Sequence, residues 1–185
     1  MKHYNCEPNR WKGFVLGLAG SLAGLMAMRY YWQYVAPFLS EFDGDGQADQ
    51  SDELNDISLV GKQYQEDESS TAALGRLAYE QVAGKSPRAQ ETKTMLSYLV
   101  HWAYGILQGG VYGALRGKNR GLDVKGGLGY GASLWLFGDE IAVPILGLQD
   151  GPGGVSLIQH INRLGAHLAY GVGTSAAVQI LRRIF

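Results

Sequence analysis

Apolar residues gather in four blocks along the chain, separated by polar links. The blocks are "GFVLGLAGSLAGLMAMRYYWQYVAPFL" (13–39), "LSYLVHWAYGILQGGVYGAL" (96–115), "GGLGYGASLWLFGDEIAVPILGL" (126–148) and "LGAHLAYGVGTSAAVQIL" (164–181). Each approaches the roughly 20 mostly apolar residues that carry a helix across a bilayer. The pattern predicts an all-α polytopic membrane protein, a four-transmembrane-helix bundle forming one membrane domain over 1–185. Residues 40–95 are polar, acidic and too long for a plain connector. Within them, Leu74, Leu77, Ala78 and Val82 recur at helical spacing in "SSTAALGRLAYEQVAG", which predicts a short amphipathic helix in the first outer loop. Ser70 or Thr71 can cap its start and Gly84 its end. Ser86 and Pro87 then offer the N-cap and first turn of a helix running into the second block.

Charge orients the bundle. Lys2, Arg10 and Lys12 precede the first block; Arg116, Lys118, Arg120 and Lys125 fill the link between the second and third; Arg182 and Arg183 follow the fourth. The positive-inside rule therefore places both termini in the cytoplasm, with 40–95 and 149–160 outside a bacterial-type inner membrane. Trp11 and the group Tyr30, Tyr31, Trp32 and Tyr34 stand at opposite ends of the first block, as aromatic belts do. Two other readings use the same residues. Residues 1–28 have the basic start and apolar core of a signal peptide, without a clean small-x-small cleavage site. A soluble helical protein would instead bury all four blocks and leave the charge asymmetry a coincidence.

Composition adds three constraints. The 185 residues carry a net charge of −1, which offers no basic field to nucleic acid. Cys6 is the only cysteine, so neither an internal disulfide nor a thiolate metal cluster is available. The 27 glycines fall mostly inside the apolar blocks. Gly13, Gly17, Gly20 and Gly24 share one helix face, as do Gly105, Gly109 and Gly113, then Gly127 and Gly131, then Gly165, Ala169, Gly173 and Ala177. Such seams let helices approach closely, and they make the bilayer, other membrane subunits and a second copy the expected partners. The acidic stretch beginning at Asp43 fails the calcium-loop pattern: its sixth position is Ala48 rather than Gly, and its twelfth is Leu54 rather than Glu.

Ionisable residues within apolar blocks mark candidate sites, because each costs a few kcal/mol to insert. Arg29, His101, Asp139, Glu140 and His167 fall in four different blocks. At 1.5 Å per residue, His101 lies about 9 Å, His167 about 5 Å and Glu140 roughly 12 Å below the outer face. The pattern predicts one buried polar cluster in the outer leaflet. Gln108, Ser133, His160 and Tyr170 share faces or neighbourhoods with its members. Pro144 removes the N–H that the Glu140 carbonyl would use in a helix, which predicts a kink. Ser133 and Pro144 favour Glu140 over Asp139 as the inward-facing acid.

Such a cluster supports several functions. A satisfied polar network in a structural or accessory membrane subunit is one. Proton or ion handling is a second, since Asp/Glu/His chains carry protons in membranes. A third is a metal site on His101, Glu140 and His167, or a haem between two histidines. No serine or cysteine is placed as a nucleophile beside these histidines, which points away from an enzyme.

"LVHWAYGILQGGVYGAL", "GLGYGASLWLFGDEIAVPILGL" and "HINRLGAHLAYG" resemble the YagU-like family of bacterial inner-membrane proteins over residues 70–183. The matching positions are His101 and Gly105, then Asp139, Glu140 and Pro144, then His167, Tyr170 and Gly171. The resemblance implies a small polytopic protein with a shared polar cluster, and no particular reaction.

Overall fold

The computed structural model describes residues 9–41, 56–116 and 123–185. Cys6, Lys2, Lys118, Arg120 and the tested calcium loop 43–54 lie outside the described residues. Every regular element described is helical: α1 (Arg10–Tyr30), α2 (Ala36–Ser40), α3 (Ser70–Ala83), α4 (Gln90–Leu115), α5 (Val124–Leu134), α6 (Val143–Ile145) and α7 (Leu157–Ile184), with π-helical segments at Tyr31–Val35 and Trp135–Ala142 and a short 3-10 turn at Pro152–Gly154. The π segments join α1 to α2 and α5 to α6, so four long helical rods make the bundle.

This architecture corrects the expected fold class. Among the described residues one helix, Arg10–Ser40, is long and apolar enough to cross a membrane by length and composition, so the polytopic four-span assignment does not stand. The physical reason is visible in the other rods. α4 opens on the polar run Gln90–Thr94, α5 and the π segment carry Lys125, Asp139 and Glu140, and α7 carries His160, Asn162, Arg163 and Gln179. These residues and the glycines dilute the apolar character below what a bilayer core demands.

Glycine decides how the rods pack. Gly13 and Gly17 of α1 meet the carbonyls of Gly113 and Gly109 in α4, leaving no room for a Cβ. On its other side α1 turns Gly20 and Gly24 against Val178, Thr174 and Tyr170 of α7. Gly127 and Gly131 of α5 meet Gly171 and His167 of α7. The rods therefore stand in the order α4, α1, α7, α5, and the glycine faces are filled within the chain. Among the described residues no such seam joins α4 to α5. Tyrosines bridge that gap at the end nearer the C-terminus of α4, where the Tyr112 and Tyr130 rings lie 5.3 Å apart and Tyr130 Oη donates to the Gln108 carbonyl at 2.8 Å. At the other end the gap stays open.

Both π segments precede a proline by the same distance, at Ala36–Pro37 and Val143–Pro144. Ala36 N–H reaches back to the Tyr31 carbonyl and Val143 N–H to the Gly138 carbonyl, each five residues away rather than four. A proline ring collides with the carbonyl four residues before it in an α-helix. Widening the preceding turn relieves that collision without breaking the rod, so the kink expected at Pro144 takes the form of a π segment.

The short helix α3 is capped by Ser69, not by Ser70 or Thr71, and ends as expected on Gly84, with a left-handed φ of 66°. Its buried face differs from the predicted stripe. Val82 and Leu74 are exposed, while Ala73, Gly75 and Arg76 are buried. Gly75 lets α3 lie directly on Leu96 of α4, and the Arg76 guanidinium is held by Glu68 at 3.0 Å and Glu80 at 3.3 Å. α4 begins at Gln90 rather than at Ser86, because the Ser86 hydroxyl donates to Glu80 instead of capping the helix.

Candidate functional site

The open end of the gap is a cavity of about 600 Å³, inside the roughly 300–1,000 Å³ range of small-molecule sites. Leu25, Met28 and Trp32 of the first rod form its back, together with Arg163, His167 and Tyr170 of α7. Val100, His101, Tyr104 and Gln108 of α4 face Leu134, Gly138, Asp139 and Val143 of the third rod across it. The segment Glu68–Thr71 and the loop Leu146–Gln149 reach its rim. Trp32, Leu74, Tyr104 and Leu146 are lining residues that are themselves exposed, so the cavity meets the surface along an apolar lip.

The rim is fixed by backbone pairing. Leu59 N–H donates to the Ile145 carbonyl at 3.0 Å and Gln63 N–H to the Gly147 carbonyl at 2.7 Å. Gly147 has a φ of 65° and lies against the Gly61 carbonyl, a conformation and a closeness that only glycine accommodates.

Asp139, His101, His167 and Arg163 share the polar side of this cavity. His167 Nδ1–H donates to the Arg163 carbonyl at 2.9 Å, and Asp139 Oδ2 lies 3.7 Å from the same nitrogen. That backbone bond fixes the tautomer and leaves Nε2 as the ring position free for exchange with a ligand or proton. Burial holds the His101 imidazole below its usual range; His167 pushes the same way and Asp139 opposes it. Burial pushes the Asp139 carboxyl up, against the pull of His167, Arg163 and His101, with Glu140 adding to the rise. Arg163 Nη1 is buried without a hydrogen-bond partner.

Glu140 points elsewhere. Its Oε1 lies 2.8 Å from His160 Nδ1, and His160 Nε2 donates to the Pro152 carbonyl at 2.9 Å. The adjacent acids thus take one histidine each. His160 and His167 are seven residues apart, two turns along one face of α7.

The structure therefore brings His101, Asp139 and His167 to one cavity and gives Glu140 to His160. Arg29 is exposed and does not line the cavity; the cation there is Arg163. Gln108 and Tyr170 line it, with Tyr170 Oη donating to the Gly105 carbonyl. Ser133 bonds back to the Gly129 carbonyl of its own helix. The donor set His101, Glu140 and His167 is not assembled, and among the described residues no three His, Cys, Asp or Glu side chains are grouped to hold a metal. Two residues that complete the site, Arg163 and Gln149, were not among those the sequence singled out. Arg163 was legible as a lone cation at the start of the fourth block. Gln149 lies in a loop and carried no signal.

Comparison of the chain with protein-family models, with curated proteins and with solved structures finds no match, so the likeness to the YagU-like family rests on the motif residues alone.

Proposed function

We propose that this chain is a membrane-associated, non-enzymatic accessory protein that holds a small amphipathic molecule in the cavity between α4 and the Trp135–Ala142 segment. The observation that carries this reading is the cavity itself: about 600 Å³, walled mostly by apolar side chains, with its ionisable groups on one side. A pocket of that kind buries an apolar body and orients one polar end. Two π segments face it, and such segments recur at functional sites. Membrane association is supported by the helix Arg10–Ser40, which exposes Val15, Leu22, Met26 and Val35, with Trp11 at one end and Tyr30, Trp32 and Tyr34 at the other.

The test is a binding panel on the purified chain in non-ionic detergent. Long-chain alcohols, carboxylates and ring-headed amphipaths are titrated while Trp32, in the cavity wall, is followed by fluorescence quenching with brominated analogues. Saturable quenching that Trp32→Phe removes supports the reading. Quenching that is linear in probe concentration and unchanged by Trp32→Phe sinks it.

A second reading is favoured by a separate observation: His101, Asp139 and His167 line one cavity, with Glu140 and His160 on the adjoining turn. Such a set can pass protons. Proton flux into liposomes carrying the chain, compared with Asp139→Asn and His101→Ala, decides it; flux no greater than in empty liposomes removes this reading.

A further inference from the structure

The polar side of the cavity has donors that the protein does not use. Arg163 Nη1 is buried with no acceptor, and no carboxylate of the described residues stands at ion-pair distance from its guanidinium. His101 lines the same cavity, and its ring makes no hydrogen bond among the described residues. A buried guanidinium N–H without an acceptor is costly, and guanidinium is the side chain best shaped to take two oxygens of one anionic group. Glu68, at the rim, is already engaged by Arg76 at 3.0 Å. Asp139 is the remaining acid on this wall; it lies 3.7 Å from His167 Nδ1, and burial pushes its carboxyl above the usual range.

The rest of the cavity is apolar. Leu25, Met28, Val100, Leu134 and Val143 form a continuous lining that leads to the exposed lip at Trp32 and Leu146. A ligand that satisfies both parts has a charged oxygen head and a hydrocarbon tail.

Resting on the binding role above, we infer that the cavity takes an amphipathic anion, an acyl chain ending in a carboxylate or phosphate, with its head on Arg163 and His101 and its tail along Leu25, Met28 and Val100. Both head groups present the same chemistry, two or more anionic oxygens on one centre. A free fatty acid and a phosphate-headed lipid are the two sources.

The experiment measures Trp32 quenching on the full chain in non-ionic detergent with three probes: 12-bromododecanoate, the matching 12-bromododecanol, and brominated dodecyl phosphate. Acetate and inorganic phosphate serve as competitors that carry the head alone. One charge-assisted hydrogen bond corresponds to an affinity difference of about tenfold. The anionic probes are therefore expected to bind at least about tenfold more tightly than the alcohol. The stronger of the two anions identifies the source. Arg163→Gln is expected to erase the preference while the alcohol still binds, and Arg163→Lys to keep part of it. Helical circular dichroism checks that each variant folds; if Arg163→Gln does not, the comparison of anion with alcohol on the unsubstituted chain decides alone. Equal binding of anion and alcohol, or a preference that survives Arg163→Gln, overturns the anionic head and leaves the binding role standing. Failure of all three probes to quench Trp32 removes both.

Discussion

The side-chain amide of Gln149 donates to the backbone carbonyl of Asp139 at 2.8 Å. This contact explains how the chain keeps a proline in the third rod. In the widened register of Trp135–Ala142, the N–H that should serve the Asp139 carbonyl belongs to residue 144, which is proline and has none. Gln149 supplies the missing donor from the loop. The sequence placed the orphaned carbonyl at Glu140, on the assumption of an α register; the π segment moves it back by one residue.

Gln149→Ala is therefore expected to destabilise the fold by about 1 kcal/mol, the lower end of the cost of an acceptor left without a donor, since this contact is only partly buried. Pro144→Ala restores an N–H at the position that serves this carbonyl, so the same Gln149→Ala change should cost less in that background. Residues that share a partner in this way couple by about 0.5–3 kcal/mol. Denaturant unfolding of the four members of the cycle measures it. Equal costs in both backgrounds would show that Gln149 is not replacing the proline's missing hydrogen.

His160 is expected to matter for stability more than its position near a loop indicates. Removing it by His160→Ala leaves the Glu140 carboxylate buried without its partner. Breaking a buried pair on one side costs about 3–5 kcal/mol. Adding Glu140→Gln removes the uncompensated charge, so the double variant should recover much of that loss. Thermal melts of the single and double variants check this. A double variant as unstable as His160→Ala alone would mean that the loss comes from the bond to the Pro152 carbonyl and not from the uncompensated Glu140 carboxylate.

The two acids show what the sequence could and could not convey. Gly13, Gly17, Gly109, Gly113, Gly127 and Gly131, all legible by spacing, each stand against the backbone of a neighbouring helix, whereas α7 meets α5 through Gly171, which lies off the spaced series Gly165, Ala169, Gly173 and Ala177. His101 and His167 were placed at one level by counting residues at 1.5 Å each, and that arithmetic survives small errors in helix ends. Facing is more fragile. Ser133 and Glu140 share a face only if the helix keeps 3.6 residues per turn, and the π segment between them rotates everything that follows. Asp139 therefore takes the cavity position, and Glu140 turns to His160. Arg163 replaces Arg29 as the cation near the acid for a related reason: Arg29 is on the exposed face of α1, and helical phase, more than depth, decides which side chains meet. Four apolar blocks yield, among the described residues, one helix apolar enough to span a bilayer. Interrupting polar residues that stand inside a bundle lower a helix's apolarity as much as those on its surface.

Acidity should separate Asp139 from His101, two of the titrating groups of the cavity. Asp139 has a folded pKa above its ordinary range. Its contribution is fully present below the unfolded value and is lost as pH rises through the folded one. Asp139→Asn removes that loss, so the stability of the variant relative to the unsubstituted chain should be greatest at neutral pH and shrink on acidification. His101 has a folded pKa below its ordinary range. Its contribution is present above the unfolded value and is lost as pH falls through the folded one, so His101→Gln should gain relative stability on acidification. Denaturation midpoints of the three proteins across the acid-to-neutral range test both signs. Curves that stay parallel would mean that neither group changes protonation on unfolding.

The first helix should remain part of the mature protein. A signal peptide covering residues 1–28 would be removed, and with it Gly13 and Gly17, which seat α1 on Gly113 and Gly109 of α4. Gly24, which lies against Thr174 and Tyr170, would go too. Leu25 and Met28, buried beside Ala166 and Tyr170, would be lost from the core and from the back wall of the cavity. Losing two buried side chains of that size costs about 2–5 kcal/mol each, comparable to the whole stability of many domains. Mass spectrometry of the chain isolated from membranes is therefore expected to find Trp11 still present, and alkaline carbonate washing should leave the protein in the membrane pellet. A mature chain that begins after Met28, folded and with the Trp32 quenching intact, would show that α1 is a leader and that the cavity needs no back wall from it.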